Sequence, residues 1–284
     1  MTSSPPSLGP LTRLPRGLAT VARARAAGAG LAALAGLLGL VAAATAACGG
    51  SPPVATPDPP GAAATPPETT DGRAEAALAG ATPSTVVFTF DRARPLAVDR
   101  GLRQVASGGA QVRFVPSPTG LAAQFPPRCR VRKCPRAILE HNNPAAFNSG
   151  LRPIRFGASV LMTRADTAPG ANVVQKGYST NGGSQFKLQV DGGAGRPSCV
   201  LANGRAIYRL VAPVTVADGR WHHLACLRSG GQLLMTVDGS TWRRPIPASL
   251  ALRNNQPLRI GGKNALAGND QFAGRVDNVF VTLY

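Results

Sequence analysis

Arg220-Trp221-His222-His223-Leu224, Leu234-Met235-Thr236-Val237-Asp238-Gly239 and Gly274-Arg275-Val276-Asp277-Asn278-Val279 decide the architecture. From Trp221 the residues fall into two sets: Trp221, His223, Ala225 and Leu227 share one face, and His222, Leu224, Cys226 and Arg228 share the other. That period of two is a strand, since successive side chains point to opposite sides of a sheet. Leu233, Met235 and Val237 continue it and run into Asp238-Gly239, a dipeptide suited to the positive φ angles of a two-residue hairpin turn. The chain ends on Val279, Val281 and Leu283 alternating with Phe280, Thr282 and Tyr284.

Working outward, the same period recurs. Val86, Phe88 and Phe90 alternate with Val87 and Thr89, and Phe156, Ala158, Val160 and Met162 line one face of another strand. Phe186, Leu188 and Val190 alternate with Gln185, Lys187 and Gln189, which reads as a half-solvated strand. Leu258 and Ile260 precede Gly261-Gly262. Asn181-Gly182-Gly183, Asp191-Gly192-Gly193, Asn203-Gly204, Asp218-Gly219 and Ser229-Gly230-Gly231 punctuate the run as turns. Many short strands with no amphipathic helix and no internal repeat predict an all-β, two-sheet antiparallel sandwich.

These motifs, with Val173-Val174-Gln175-Lys176-Gly177, Leu258-Arg259-Ile260-Gly261-Gly262-Lys263 and Phe272-Ala273-Gly274-Arg275-Val276-Asp277, resemble a laminin G-like domain of the concanavalin A-like lectin/glucanase superfamily. The flavour is similar to that of exported actinobacterial proteins. The resemblance covers Thr85 to Tyr284 and implies a jelly roll. It leaves function open, because lectins, adhesion modules and glycosidases share this fold.

The sequence divides into 1–47, 48–83 and 84–284. Residues 1–47 read as an export signal: Arg13, Arg16, Arg23 and Arg25 precede an apolar run from about Leu31 to Ala47. Thr45-Ala46-Ala47-Cys48 resembles the lipobox of bacterial lipoproteins, although Thr45 stands where Leu is usual. Lipidation of Cys48 and anchoring to the membrane are expected; ordinary signal cleavage and secretion, or an uncleaved span, are the alternatives. Residues 48–83 carry Pro52-Pro53, Pro57-Asp58-Pro59-Pro60 and Pro66-Pro67 and read as an extended spacer.

The 284 residues carry a formal charge of +18, supplied mainly by arginine; the lysines are Lys133, Lys176, Lys187 and Lys263. An Arg-, Ala-, Gly- and Pro-rich composition explains the excess without a ligand, and attraction to an anionic surface or polymer is the second reading. Nucleic acid is not expected as a partner, since the basic residues are not interleaved with stacking aromatics. Four cysteines in an exported domain imply two disulfides with three possible connectivities, and Cys129–Cys134 with Cys199–Cys226 is the expected one.

Catalysis is not expected. Laminarinase-type relatives of this fold use a Glu-x-Asp-x-x-Glu strand, absent here, and Glu140 is the only glutamate of residues 84–284. His222 and His223 are neighbours on a strand and so cannot share one ion; Trp221 and His223 are expected to pack inward, with His222 exposed or on the other face. No cofactor is required, but calcium at a rim is a possibility for laminin G-like domains. Asp191, Asp238, Asp270 and Asp277 sit at strand ends, and Asn269 with Asp270 is the least arbitrary ligand pair. Trp242, with Tyr178 and Tyr208, is the candidate sugar platform. The chain thus reads as a cell-surface, non-catalytic module binding an extracellular glycan, wall polymer or protein. A glycoside hydrolase with an unrecognised site and a structural accessory of an envelope complex are the alternatives. Its oligomeric state is not legible.

Overall fold

A computed structural model describes residues 82–91, 101–131, 133–180, 183–204 and 206–284. The export segment 1–47, Cys48 and the spacer up to residue 81 lie outside them. Among the described residues fifteen strands form two antiparallel sheets, as the alternation predicts. The first sheet holds β1 (Ser84–Phe88), β3 (Arg113–Ser117), β4 (Gly120–Phe125), β6 (Ile154–Thr163), β11 (Asp218–Ser229), β12 (Gln232–Val237), β13 (Ser240–Pro245) and β15 (Gly274–Leu283). Its order is β13-β12-β11-β6-β15-β4-β3, with β1 beside the second half of β15. The second sheet holds β2 (Leu102–Ser107), β5 (Arg136–His141), β7 (Ala171–Gly177), β8 (Ser184–Asp191), β9 (Arg196–Asn203), β10 (Ile207–Val211) and β14 (Leu258–Ile260). Its order is β10-β9-β8-β7-β14-β5-β2.

The core lies between the sheets. Phe156, Ala158, Val160 and Met162 of β6 are fully buried, as are Phe88 and Phe90. Leu233, Met235 and Val237 join them opposite Cys199, Leu188 and Ile260. The turn Asp238-Gly239 takes φ angles of 48° and 88° and closes β12 onto β13, as a two-residue hairpin requires.

Strand β11 corrects the sequence reading. Its inward face is Leu224 and Cys226, and the face of Trp221, His223, Ala225 and Leu227 looks outward. Pairing decides the outcome: Ala225 stands opposite Gly157 and Gly157 opposite Phe280. Outside Gly157, where a Cβ would sit 2.7 Å from the Phe280 ring, Phe280 lies flat and His223 stacks on it at 5.9 Å. The aromatic preference of the face is therefore met on the outside of the sheet, while Leu224 and Cys226 fill the core.

Two links bind the sheets and their ends. Cys199 in β9 is bonded to Cys226 in β11, so this disulfide crosses the core; Cys129–Cys134 closes a short surface loop. Both expected pairings are present. Closing the 27-residue separation of the first contributes roughly 3–4 kcal/mol by loop-entropy arguments.

At the edge of the first sheet, His222 bridges two carboxylates: its Nδ1 lies 2.6 Å from Asp238 and its Nε2 2.9 Å from Asp218. Asp218 opens β11 ahead of a bulge, and Asp238 sits in the hairpin turn, so one imidazole ties both irregular points together. Burial would lower the His222 pKa, but the hydrogen bonds to Asp238 and Asp218 outweigh it and raise the pKa above the ordinary 6.5. Asp218 is held below the usual carboxylate range, chiefly by the same hydrogen bond. A raised histidine pKa contributes stability that is complete below the unfolded value and is lost as pH rises through the folded one. Denaturant midpoints measured from pH 5.5 to 8.5 should fall for the native chain across that window, and the fall should be smaller for His222→Gln. Parallel curves for the two proteins would remove the clamp from the account.

Candidate functional site

The outer face of the seven-stranded sheet carries the densest array of polar side chains. Its register gives one row across the whole sheet: Arg209 opposite Val200, then Lys187, Gln175, Arg259, Glu140 and Arg103. Each of these positions alternates with a core residue such as Leu188, Val174 or Ile260, so burial of one face forces the row onto the other. A second row runs beside it through Ser198, Gln189 and Asn172, where a bulge between Asn172 and Val174 turns Asn172 outward alongside Gln175.

This face is not half-solvated as β8 alone suggests. Gln185 is 4% exposed and Gln189 7%. Their amides fold back onto the sheet: Gln185 and Gln175 both donate to the Gly177 carbonyl, and Gln189 donates to Asp191. Asp191 also takes Ser198 and pairs with Arg209 at 2.7 Å. The result is a polar layer in which the glutamines and Asn172 are hydrogen-bonded down onto the sheet rather than extended into solvent.

Three groups in that layer stand apart from the network. Lys187 stands at its centre, and no hydrogen bond or ion pair among the described residues reaches its amine. Burial lowers the Lys187 pKa; Asp270 and Asp191 oppose that, while Lys263 and Arg209 add to it. Arg259 is 9% exposed and lies 5.3 Å beneath the Tyr178 ring. Its Nη2 donates to Gln256, yet Nε and Nη1 have no partner among the described residues. The Asn172 Oδ1 is also unpartnered. Buried donors and acceptors left open cost about 1–3 kcal/mol each, so Arg259 and Asn172 carry a deficit inside the layer.

Carboxylates on this face are each held by a cation. Glu140 lies 3.6 Å from Arg103 and 3.9 Å from Arg259, and Asp270 lies 3.1 Å from Lys263. This pairing bears on calcium. The Asn269 Oδ1 accepts from Arg136 Nε at 3.1 Å, so the oxygens of Asn269 and Asp270 both face positive groups that a metal ion would have to displace. The other strand-end acids are dispersed: Asp238 bonds His222, and Asp277 takes the hydroxyls of Ser117 and Thr119. Among the described residues no group of three or more His, Cys, Asp or Glu side chains is arranged to hold a metal.

The expected aromatic platform is divided. Trp242 and Tyr208 pack against the core from the edge strands β13 and β10. Tyr178 lies elsewhere, over Arg259, and its hydroxyl donates to the Lys263 carbonyl. The sequence reading missed Arg259, Gln175 and Lys187 as a set, because they belong to three strands that only pairing brings side by side. Their one local signal was the polar alternation of β8.

Next to Asp270, a cleft of about 400 Å³ opens between the Cys129–Cys134 loop, residues 168–170 and residues 268–271. It is continuous with the polar layer, since Gly170 approaches both Asp270 and Gln189.

Residues 160–282 match a laminin G model described as the concanavalin A-like lectin/glucanases superfamily. The match starts inside β6 and ends inside β15. A stretch of 100 residues is 32% identical to laminin subunit alpha-1 of Mus musculus, covering 32% of this chain and 3% of that protein. The chain therefore spans a small part of that curated relative. Domain 4 of AbnA, a GH43 extracellular arabinanase from Geobacillus stearothermophilus, solved with arabinotriose, is similar over 72% of this chain and 94% of that one, at 12% identity and a TM-score of 0.54. The binding domain of botulinum neurotoxin DC, solved with rat synaptotagmin II, is similar over 70% of this chain and 48% of that one, at 8% identity and a TM-score of 0.51. The laminin G-like resemblance and the sandwich fold are thereby borne out.

Two lysines, Lys176 buried and Lys187 partly exposed, separate a structural charge from an open one. Lys176 is fully buried, with its pKa lowered to about 8 by burial, yet its ammonium donates to Asn148 and twice to Asn254. Lys176→Met should lower folding stability by about 2–4 kcal/mol in urea denaturation, because buried acceptors lose their donor. Lys187→Met should leave the midpoint unchanged or raise it. An equal loss for both would assign Lys187 a structural role.

Proposed function

We propose that this chain is a non-catalytic binding module of the cell surface, taking an extracellular glycan or cell-wall polymer on the polar face of its seven-stranded sheet. The observation that carries the reading is the accessible centre of that face, where the Lys187 amine has no protein partner among the described residues and stands in one row with Gln175 and Arg259, the latter under the Tyr178 ring. A saccharide supplies hydroxyl donors and acceptors in the same density, and Tyr178 beside them offers an apolar ring for a sugar face. The two disulfides suit an oxidising, extracellular compartment. Support of a weaker kind comes from fold: a sandwich of similar architecture is part of an arabinanase and was solved with arabinotriose. In this reading Cys48 carries the lipid anchor and residues 48–83 hold the domain off the membrane. Binding by a protein partner remains the second use of the same face. Glu140 is the only glutamate of residues 84–284 and already engages Arg103, which supports the non-catalytic reading over hydrolysis.

Full-length protein probed on arrays of wall polymers and oligosaccharides, arabino-oligosaccharides included, should bind a defined subset. Gln175→Ala with Lys187→Met should weaken that binding about tenfold or more, the value of one or two lost hydrogen bonds. Undiminished binding by the variant would remove the polar face from the account. Release of reducing sugar that stops in Glu140→Gln would replace the module with an enzyme.

For the anchor, intact mass of the mature protein from its producing cells should fit a diacylated or triacylated chain beginning at Cys48. An unmodified chain beginning elsewhere would make the protein secreted or signal-anchored.

A further inference from the structure

The cleft beside the polar layer has its own chemistry. Arg128, Arg130 and Arg136 line it, and Asp270 is its one acidic lining residue. That carboxylate is already paired with Lys263, so the arginines face the cleft without a counter-charge. No ion pair among the described residues involves any of the three.

Arg136 is positioned rather than loose. Its Nε donates to Asn269 Oδ1 at 3.1 Å and its Nη1 to the Cys134 carbonyl at 2.9 Å. Asn269 is 2% exposed and is itself fixed, donating to the Asn264 carbonyl and to Gln271 Oε1. Gln271 in turn donates to the carbonyls of Ala137, Gly261 and Phe272. The floor of the cleft is therefore rigid, and it holds one guanidinium in place with Nη2 given no acceptor among the described residues. Arg128 and Arg130 are exposed and flank Cys129, whose bond to Cys134 ties their loop back onto the strand that carries Arg136. A side chain orientated this way, with its entropy already lost, donates to an anion at less cost than a free surface arginine.

We infer that this cleft is an anion site, and that the group it takes is the phosphate of a phosphodiester polymer. The fixed arginine forms its floor, and the disulfide-tied loop supplies two further guanidiniums. A carboxylate presents its lone pairs in one plane, whereas a tetrahedral phosphate presents acceptors in several directions and so suits guanidiniums that converge from different sides. The cleft and the row across the sheet share no residue, so this site stands whatever the polar face binds.

Inorganic polyphosphate and polygalacturonate are the probes, titrated against the full chain by isothermal calorimetry at 0.15 M salt. Polyphosphate should bind and polygalacturonate should bind at least tenfold more weakly. Arg136→Gln should cut polyphosphate affinity roughly tenfold, the scale of one charge-assisted contact. Arg128→Gln with Arg130→Gln should cut it at least as far, and since neither side chain makes a hydrogen bond among the described residues, that variant tests the site without loss of fold. Arg243→Gln, on the edge strand β13 of the other sheet, removes the same charge and should change nothing. Equal weakening by Arg243→Gln would reduce the effect to net charge and overturn the site. Equal binding of polygalacturonate would overturn the phosphate assignment, and absence of polyphosphate binding would overturn both.

Discussion

The bond between Cys199 and Cys226 fixes which face of β9 looks inward. A strand that slips by one residue exchanges its two faces, and nothing in β9 apart from its pairing partners forbids that slip. With Cys199 tied across the core, the line through Leu188 and Val174 to Ile260 and Leu139 is committed to the interior. The neighbouring line must then be external. Lys187, Gln175, Arg259 and Glu140 thus lie on one outer surface as a consequence of a covalent link that touches none of them.

That surface is under a different rule from the core. Gln185, Gln189 and Asn172 are almost as buried as the valines beneath them, and they are kept there by donating to Gly177, Asp191 and Gln175 respectively. A closed polar network stabilises and defines a structure; one with open positions does neither fully. Glu140 and Asp191 are paired with arginines; among the described residues, Arg259 and Asn172 hold buried atoms without a partner and Lys187 has no protein partner. Open positions also occur on the other sheet, at Arg228 Nε and Gln232 Oε1; what this layer adds is the partly exposed Lys187 beside its own. Asp277 makes the contrast: equally buried, it is fully engaged by Ser117, Thr119 and its neighbour's amide, and serves only to pin the turn between β3 and β4.

Local pattern carried the strands that alternate cleanly. Phe156 to Met162, Phe186 to Val190 and the closing run from Val279 could be read at sight, because one face is apolar throughout. Residues 101–141 could not. Strands β2 to β5 there are short, edge-proximal and interrupted by Pro116, Gly108 and Gly109, so their faces are mixed and only pairing with β14 and β15 reveals them. For β11 the period was legible but the hand was not: Trp221 and His223 look like core residues until Gly157 and Phe280 supply an aromatic contact on the outside. The same limit applies to function. Asn269 and Asp270 were visible as oxygen donors, but Arg136 and Lys263, which occupy those oxygens, come from distant or oppositely charged positions that spacing does not connect.

A charge of +18 is a poor guide to a ligand, since Coulomb attraction between exposed charges is screened within about 8 Å at physiological salt. Placement matters more. Arg103 and Arg209 are answered by Glu140 and Asp191, and Arg228 by the carbonyls of Leu151, Arg152 and Ala248; none of these has charge to offer outside the protein. Arg128, Arg130 and Arg136 do, and one of them is locked by a buried asparagine. Asp270 marks the boundary between the two chemistries. Its carboxylate is held by Lys263 and lowers the cost of keeping Lys187 charged, so the hydrogen-bonding layer and the cationic cleft meet at one neutralised carboxylate. A polymer bearing hydroxyls and phosphates in alternation would meet both without crossing an uncompensated negative charge.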